Sequence, residues 1–191
     1  MIGLLPGSRR EELKRHLPVM LEAAKEVQAS APDVRFVIAL ADLFGPEDLE
    51  PFLHDDLPFE VVQRRTYEVM RASDLLIVAS GTATLEAALL EAPMIIIYRV
   101  SFLSALVGRL LIKVPYIGLV NLVAGRKVVP ELLQHEASPA RIASLALELL
   151  NSPGRLRSMR QELSQVRAAL GAPGAVSRAA KEVLKVLDAG C

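Results

Sequence analysis

The sequence predicts an α/β protein, a Rossmann-like doubly wound parallel sheet followed by C-terminal helices, on three observations. Short, β-branched, almost wholly apolar runs recur along residues 2–98, segments with apolar residues at helical spacing separate them, and from residue 138 onward only helical patterns remain. Runs apolar on both faces suit strands covered on both sides, and strands alternating with helices build βαβ units. The expected division is a Rossmann-like domain over residues 1–137 and a helical extension over residues 138–191, packed on that domain or on a partner.

Five strands are predicted, at residues 2–5, 34–40, 59–63, 75–79 and 94–98. Between the first two, Leu13, Leu17, Leu21, Ala24 and Val27 recur at helical spacing. Pro18 interrupts that stretch, which predicts a regular helix beginning only around Leu17 with the proline in its first turn. A short helix around Met70 precedes the fourth strand, and Thr84, Leu85, Ala88 and Leu89 mark another before the fifth. Ser138-Pro139 and Ser152-Pro153 each read as a cap followed by a first-turn proline. Residues 171–174, with a glycine at each end, set off a last helix ending near Leu187.

Composition bounds the class. Apolar residues are 52% of the 191, mean hydropathy is +0.35 and the formal charge is zero. That charge is uneven, with residues 1–64 at −5 and residues 141–191 at +4. A basic end favours phosphates or an anionic membrane surface, or is simply a solvated helix surface. The single cysteine, Cys191, excludes an internal disulfide framework and fits a reducing compartment. The first residues lack a secretory pattern, and the longest uncharged run, residues 114–125, falls short of the ~20 residues that span a bilayer. The expectation is a soluble cytoplasmic protein, peripheral at most to the inner face of a membrane.

The chemistry is expected at the carboxyl ends of the strands. If the strand order is 3-2-1-4-5, a crevice opens beyond strands 1 and 4, where successive connections diverge. Two segments would flank it, Pro6-Gly7-Ser8-Arg9-Arg10 and Ser80-Gly81-Thr82-Ala83-Thr84. Each offers glycine for close backbone approach, hydroxyl donors and a following helix start, and Arg9 adds a permanently charged partner for phosphate oxygens. Singly, each segment also reads as a turn or a cap; it is the pair at one crevice that points to a phosphate-bearing ligand. The Walker and dinucleotide glycine patterns are absent, so neither an ATPase nor a dehydrogenase is supported. Glu86 lies four residues past Thr82 among the apolar residues Leu85, Ala87, Ala88, Leu89 and Leu90. A carboxylate there either accepts from ribose hydroxyls or is an ordinary polar residue of an amphipathic helix. His16, His54 and His135 are scattered, with no ligand spacing for a metal.

Residues 4–18 (LLPGSRREELKRHLP), 79–89 (ASGTATLEAAL), 93–101 (PMIIIYRVS) and above all 116–134 (YIGLVNLVAGRKVVPELLQ) closely resemble lipid-A-disaccharide synthases, in family order along nearly the whole chain. The resemblance implies the C-terminal, donor-binding half of a GT-B glycosyltransferase. It also implies inverting transfer of a diacylglucosamine from UDP to a diacylglucosamine 1-phosphate, in β-1,6 linkage, without a metal or other cofactor. By position, Gly7, Ser8 and Arg9 match the donor-phosphate loop, Ser80, Gly81 and Thr82 the second diphosphate contact, and Glu86 the ribose contact. Asn121 matches a polar position needed for activity and, with Arg9, is expected to be catalytic; Glu131 and Gln134 are expected near the donor sugar. The family's N-terminal half, with most of the acceptor site and the general base, is not matched by any segment here. The expectation is therefore weak UDP binding and little transferase activity from this chain alone.

Two surfaces complete the reading. Residues 101–112, with Arg109 and Lys113 four apart, predict either a basic helix at a membrane or over acyl chains, or a buried helix with snorkelling cations. Apolar residues of the terminal helices, among them Leu163, Val166, Leu170, Val183 and Leu187, are expected to need cover from the unmatched half or from a second copy. Expected partners are the two lipid substrates and no nucleic acid. The competing readings are a stand-alone UDP-binding or scaffolding module and a UDP-N-acetylglucosamine epimerase of related architecture, for which the segment around Asn121 has no match.

Overall fold

The computed structural model describes residues 1–52, 59–100, 115–171 and 174–188. Its elements, in chain order, are β1 (Ile2–Leu5), α1 (Arg10–Ser30), β2 (Phe36–Leu40), β3 (Phe59–Gln63), α2 (Thr66–Ala72), β4 (Leu75–Ala79) and α3 (Ala83–Leu89). They continue with β5 (Met94–Tyr98), α4 (Leu119–Ala124), β6 (Glu131–Leu133), α5 (Pro139–Leu150), α6 (Pro153–Leu170) and α7 (Ala175–Asp188).

The strands form one parallel sheet in the order β3-β2-β1-β4-β5-β6. Leu4 of β1 lies opposite Ile38 of β2 on one side and Ile77 of β4 on the other. Residues of β1, β2 and β4 are buried throughout, which is why these runs read as unbroken apolar stretches. At the edge, β3 exposes Glu60 and Val61 instead. Helix α1 packs with α5 over one face, while α3, α4 and α6 pack together over the other. Right-handed crossovers require this split, because the chain leaves β1 towards β2 and leaves β4 in the opposite direction.

Three expectations need correction. The first helix starts at Arg10, and Pro18 lies inside it rather than in its first turn. An interior proline forfeits a backbone hydrogen bond and costs ~3 kcal/mol or more. The turns ahead of it persist because Leu13, His16 and Leu17 are buried, so tertiary packing outweighs the local break. Second, β2 begins at Phe36, since Val34 is drawn into a turn by its N–H bond to the Ala31 carbonyl. Third, Leu163 and Val166 are not left bare: both are buried where α6 covers α3 and α4. Burying each such side chain stabilises the fold by ~1.5–3 kcal/mol. A sixth strand, β6, was not expected; three residues are too short to show a period. No helix among the described residues is long and apolar enough to cross a membrane. The proposed membrane helix at 101–112, with Arg109 and Lys113, lies outside the described residues, as do His54 and Cys191.

Candidate functional site

The strand order puts the divergence of connections between β1 and β4, and there a cleft of about 800 Å³ opens at the carboxyl edge of the sheet. Gly7, Ser8, Arg9, Ser80, Gly81, Thr82 and Glu86 all line it. The two segments chosen from sequence are thus opposite walls of one cavity. Tyr98, Arg99 and Val100, at the end of β5, form a third side.

The loop after β1 is shaped by Gly7 and Glu12. Gly7 has φ +114°, a left-handed conformation, and a Cβ there would press on the Glu12 side chain at 2.5–2.7 Å. Glu12 reaches back from the first turn of α1 and accepts from the backbone N–H groups of Ser8 at 3.0 Å and Arg9 at 3.3 Å. Its other oxygen lies 3.4 Å from the Arg9 guanidinium. A carboxylate of the chain itself therefore satisfies two amides of the loop at the start of α1. The Arg9 side chain remains 83% exposed and able to turn into the cleft.

Across the cleft, Ser80 is fixed by its N–H to the Ile97 carbonyl at 2.9 Å and by its hydroxyl to the Ile117 carbonyl at 3.2 Å. Thr84 turns its hydroxyl back to the Gly81 carbonyl at 2.8 Å and is buried. A Cβ on Gly81 would meet nothing within 4 Å, so packing does not account for the glycine; what it leaves is bare backbone beside the cleft. Glu86, half-buried on α3, lines the cleft with no side-chain hydrogen-bond partner among the described residues.

Asn121, Glu131 and Gln134 are placed differently: none of them lines the cleft. Asn121 is fully buried; its Oδ1 accepts from the N–H groups of Val128 at 2.8 Å and Val129 at 3.0 Å. Its amide donates to the Val129 carbonyl at 2.9 Å and to Glu131 Oε1 at 2.7 Å, so all four of its bonding positions are used inside the protein. Glu131 also accepts from the N–H groups of Ile117 at 2.9 Å and Gly118 at 3.0 Å. Gln134, at φ +51°, accepts from the Val100 N–H at 3.2 Å. These three residues hold the backbone that borders the cleft, at Ile117 and Val100.

His16 and Glu12 are functional candidates the motifs did not single out. His16 is 1% exposed on α1, with Nδ1 3.1 Å from the Pro6 carbonyl and Nε2 accepting from the Arg99 N–H at 3.1 Å. Burial holds its pKa below the ordinary value; the Arg99 and Arg15 charges push the same way, against the Pro6 carbonyl and Glu12. The available signal was a polar residue on the face defined by Leu13, Leu17 and Met20. Among the described residues, no group of three or more His, Cys, Asp or Glu is placed to hold a metal ion.

Comparison with known proteins decides the family. The model of the lipid-A-disaccharide synthetase family matches residues 1–186. The chain belongs to that family. It is 47% identical over 188 residues to the lipid-A-disaccharide synthase of Anaeromyxobacter dehalogenans strain 2CP-C, covering 97% of this chain and 49% of that protein. With the Myxococcus xanthus strain DK1622 synthase it shares 44% over 190 residues, covering 99% of this chain and 50% of that one. The chain thus spans about half the length of the curated relatives it matches. Among solved structures it resembles the spinosyn rhamnosyltransferase SpnG complexed with thymidine diphosphate, with a TM-score of 0.63, 19% identity, and 94% of this chain covering 44% of that one. The calicheamicin glycosyltransferase CalG4 gives a TM-score of 0.53 at 18% identity, with 98% of this chain on 42% of that one. These two likenesses show the fold alone, a Rossmann-like doubly wound parallel sheet. In this chain the segment around Asn121 packs behind Ser80, where the Ile117 carbonyl accepts from the Ser80 hydroxyl and Glu131 links Ile117 to Asn121.

Proposed function

We propose that this chain forms the UDP-sugar donor site of a lipid-A-disaccharide synthase. The whole protein would move a diacylglucosamine from UDP to a diacylglucosamine 1-phosphate. One observation carries the reading: both phosphate-type segments and Glu86, whose carboxylate has no hydrogen-bond partner among the described residues, line a single cleft at the switch point of the sheet. Residues 1–137 are the donor-binding domain and residues 138–191 its helical extension.

In this account the diphosphate lies between Gly7-Ser8-Arg9 and Ser80-Gly81-Thr82, with Arg9 rotating from Glu12 onto phosphate oxygens. Glu86 accepts from the ribose hydroxyls. As the acceptor hydroxyl attacks the anomeric carbon, the bond from that carbon to the UDP oxygen breaks, and negative charge grows on the diphosphate. Arg9 and the amino end of α1 stabilise that charge, the service a metal performs in other transferases. A base must take the acceptor proton, and inversion follows from attack opposite the leaving group. Asn121, Glu131 and Gln134 act by position, fixing Ile117, Gly118 and Val100 at the border of the cleft. The work is cytoplasmic, at the inner face of a membrane where lipid substrates reside. The 191-residue polypeptide is expected to bind UDP and show little turnover by itself.

Calorimetric titration with UDP tests the site. Arg9→Ala and Glu86→Ala should each weaken binding about ten-fold or more, the loss of a charge-assisted hydrogen bond. Unchanged affinity in both variants removes the assignment, leaving a scaffolding module as the reading.

A further inference from the structure

We infer that His16 is a positioning residue for the diphosphate end of the cleft, tying the loop after β1 to the backbone after β5 through its neutral imidazole. The inference rests on the donor-site reading above and extends it to the part that aligns the walls.

The sheet does not join these two segments, because β4 lies between β1 and β5. His16 spans that gap, with Pro6 on one side of the ring and Arg99 on the other. The partners dictate the protonation state. A carbonyl only accepts, so Nδ1 must carry the hydrogen; a backbone N–H only donates, so Nε2 must present its lone pair. One species satisfies both, the neutral ring with hydrogen on Nδ1. A second proton would set two donors against each other at Arg99.

The charged groups facing the ring are Glu12 and Arg15 from its own helix and Arg99 from the segment after β5. Burial is the largest influence and favours the neutral ring; the Arg99 and Arg15 charges act in the same direction, against the Pro6 bond and Glu12. The residue is also unexpected where it stands. The pattern of Leu13, Leu17 and Met20 calls for another apolar side chain, and an imidazole at 1% exposure is costly unless it is hydrogen-bonded. Both bonds go to the backbone of cleft-lining segments. Pro6 leads directly into Gly7-Ser8-Arg9, and Arg99 itself lines the cleft. The sign of the pH effect follows. A folded-state pKa below the ordinary 6.5 means the tie is complete above about pH 6.5 and is lost as pH falls through the folded value.

The test is UDP titration of wild type, His16→Gln and His16→Leu from about pH 7.5 down to the pH at which the ring ¹⁵N shifts show His16 protonated, with amide ¹⁵N shifts recorded alongside. Glutamine offers one donor and one acceptor and does not titrate. The phosphate of UDP itself titrates near pH 6, but equally for all three proteins. Wild-type affinity should fall at least about five-fold further on acidification than that of His16→Gln, which should match wild type at about pH 7.5 within two-fold. His16→Leu should bind at least about five-fold more weakly throughout while keeping its circular dichroism. Identical pH profiles for wild type and His16→Gln, or wild-type affinity in His16→Leu, would overturn the inference. If wild type fails to bind UDP at all, the donor reading falls separately. The ring shifts then decide: hydrogen on Nδ1, with the Arg99 amide moving as the ring titrates, supports the tie, and hydrogen on Nε2 refutes it.

Discussion

Asn121 and Glu86 are polar residues in apolar surroundings, and the fold puts them to opposite uses. Asn121 closes all its hydrogen bonds within the protein, whereas Glu86 lines the cleft with no side-chain partner among the described residues. Replacing Asn121 with alanine would leave the Val128 and Val129 N–H groups and the Val129 carbonyl without partners. The expected loss is about 3 kcal/mol or more in urea unfolding, against about nothing for the cleft-facing Glu86→Ala. Residue types told that both positions mattered, but not which way each side chain faces. That depends on the segment leading into β6, where Val128 and Val129 supply the backbone groups Asn121 satisfies. His16 reads in the sequence only as a scattered histidine, for a related reason. Histidines draw attention as clusters with ligand spacing, and a single one bonded to main chain leaves no such mark.

At the scale of elements, the four strands of the sheet's interior run that carry long apolar stretches were legible, because burial on both faces writes itself into composition. The start of α1 was not, since Pro18 outweighs its neighbours locally while the buried face of Leu13 and Leu17 outweighs Pro18 in the folded protein. Two predictions belong here. Ser138 caps α5 by accepting from the Arg141 N–H at 3.3 Å, so Ser138→Ala should cost about 1 kcal/mol of thermal or urea stability. Gly118 precedes α4 with Ile96 Cδ1 and Glu131 Oε1 where a Cβ would stand. Gly118→Ala should cost about 1–3 kcal/mol through overpacking and displace the Ile117–Gly118 backbone, weakening UDP binding as well. Equal stability to wild type would show that the segment yields freely and does not border a fixed cleft.

For the whole molecule, the switch point was the assumption on which the site reading stood, and the observed strand order supplies it. The motifs therefore located the two main walls of the cleft, while the third, at Arg99 and Val100, became visible only with β5 and β1 placed around β4. The terminal helix α7 stands apart from the covered helices: Val176, Val183 and Val186 are 84%, 60% and 73% exposed. Leu163 and Val166 found cover within the chain and these residues did not. The isolated 191-residue polypeptide should therefore self-associate, seen as a rise in scattering mass with concentration, and Val183→Lys with Val186→Lys should reduce it. A constant monomer mass would count against that expectation.

Titrating ¹⁵N-labelled protein with UDP and mapping the perturbed amides tests the donor-site account most directly. The account predicts the largest shifts at residues 7–9, 80–83 and 99–100, with smaller ones at 117–118. Shifts confined to other surfaces, or none at millimolar UDP, would contradict it.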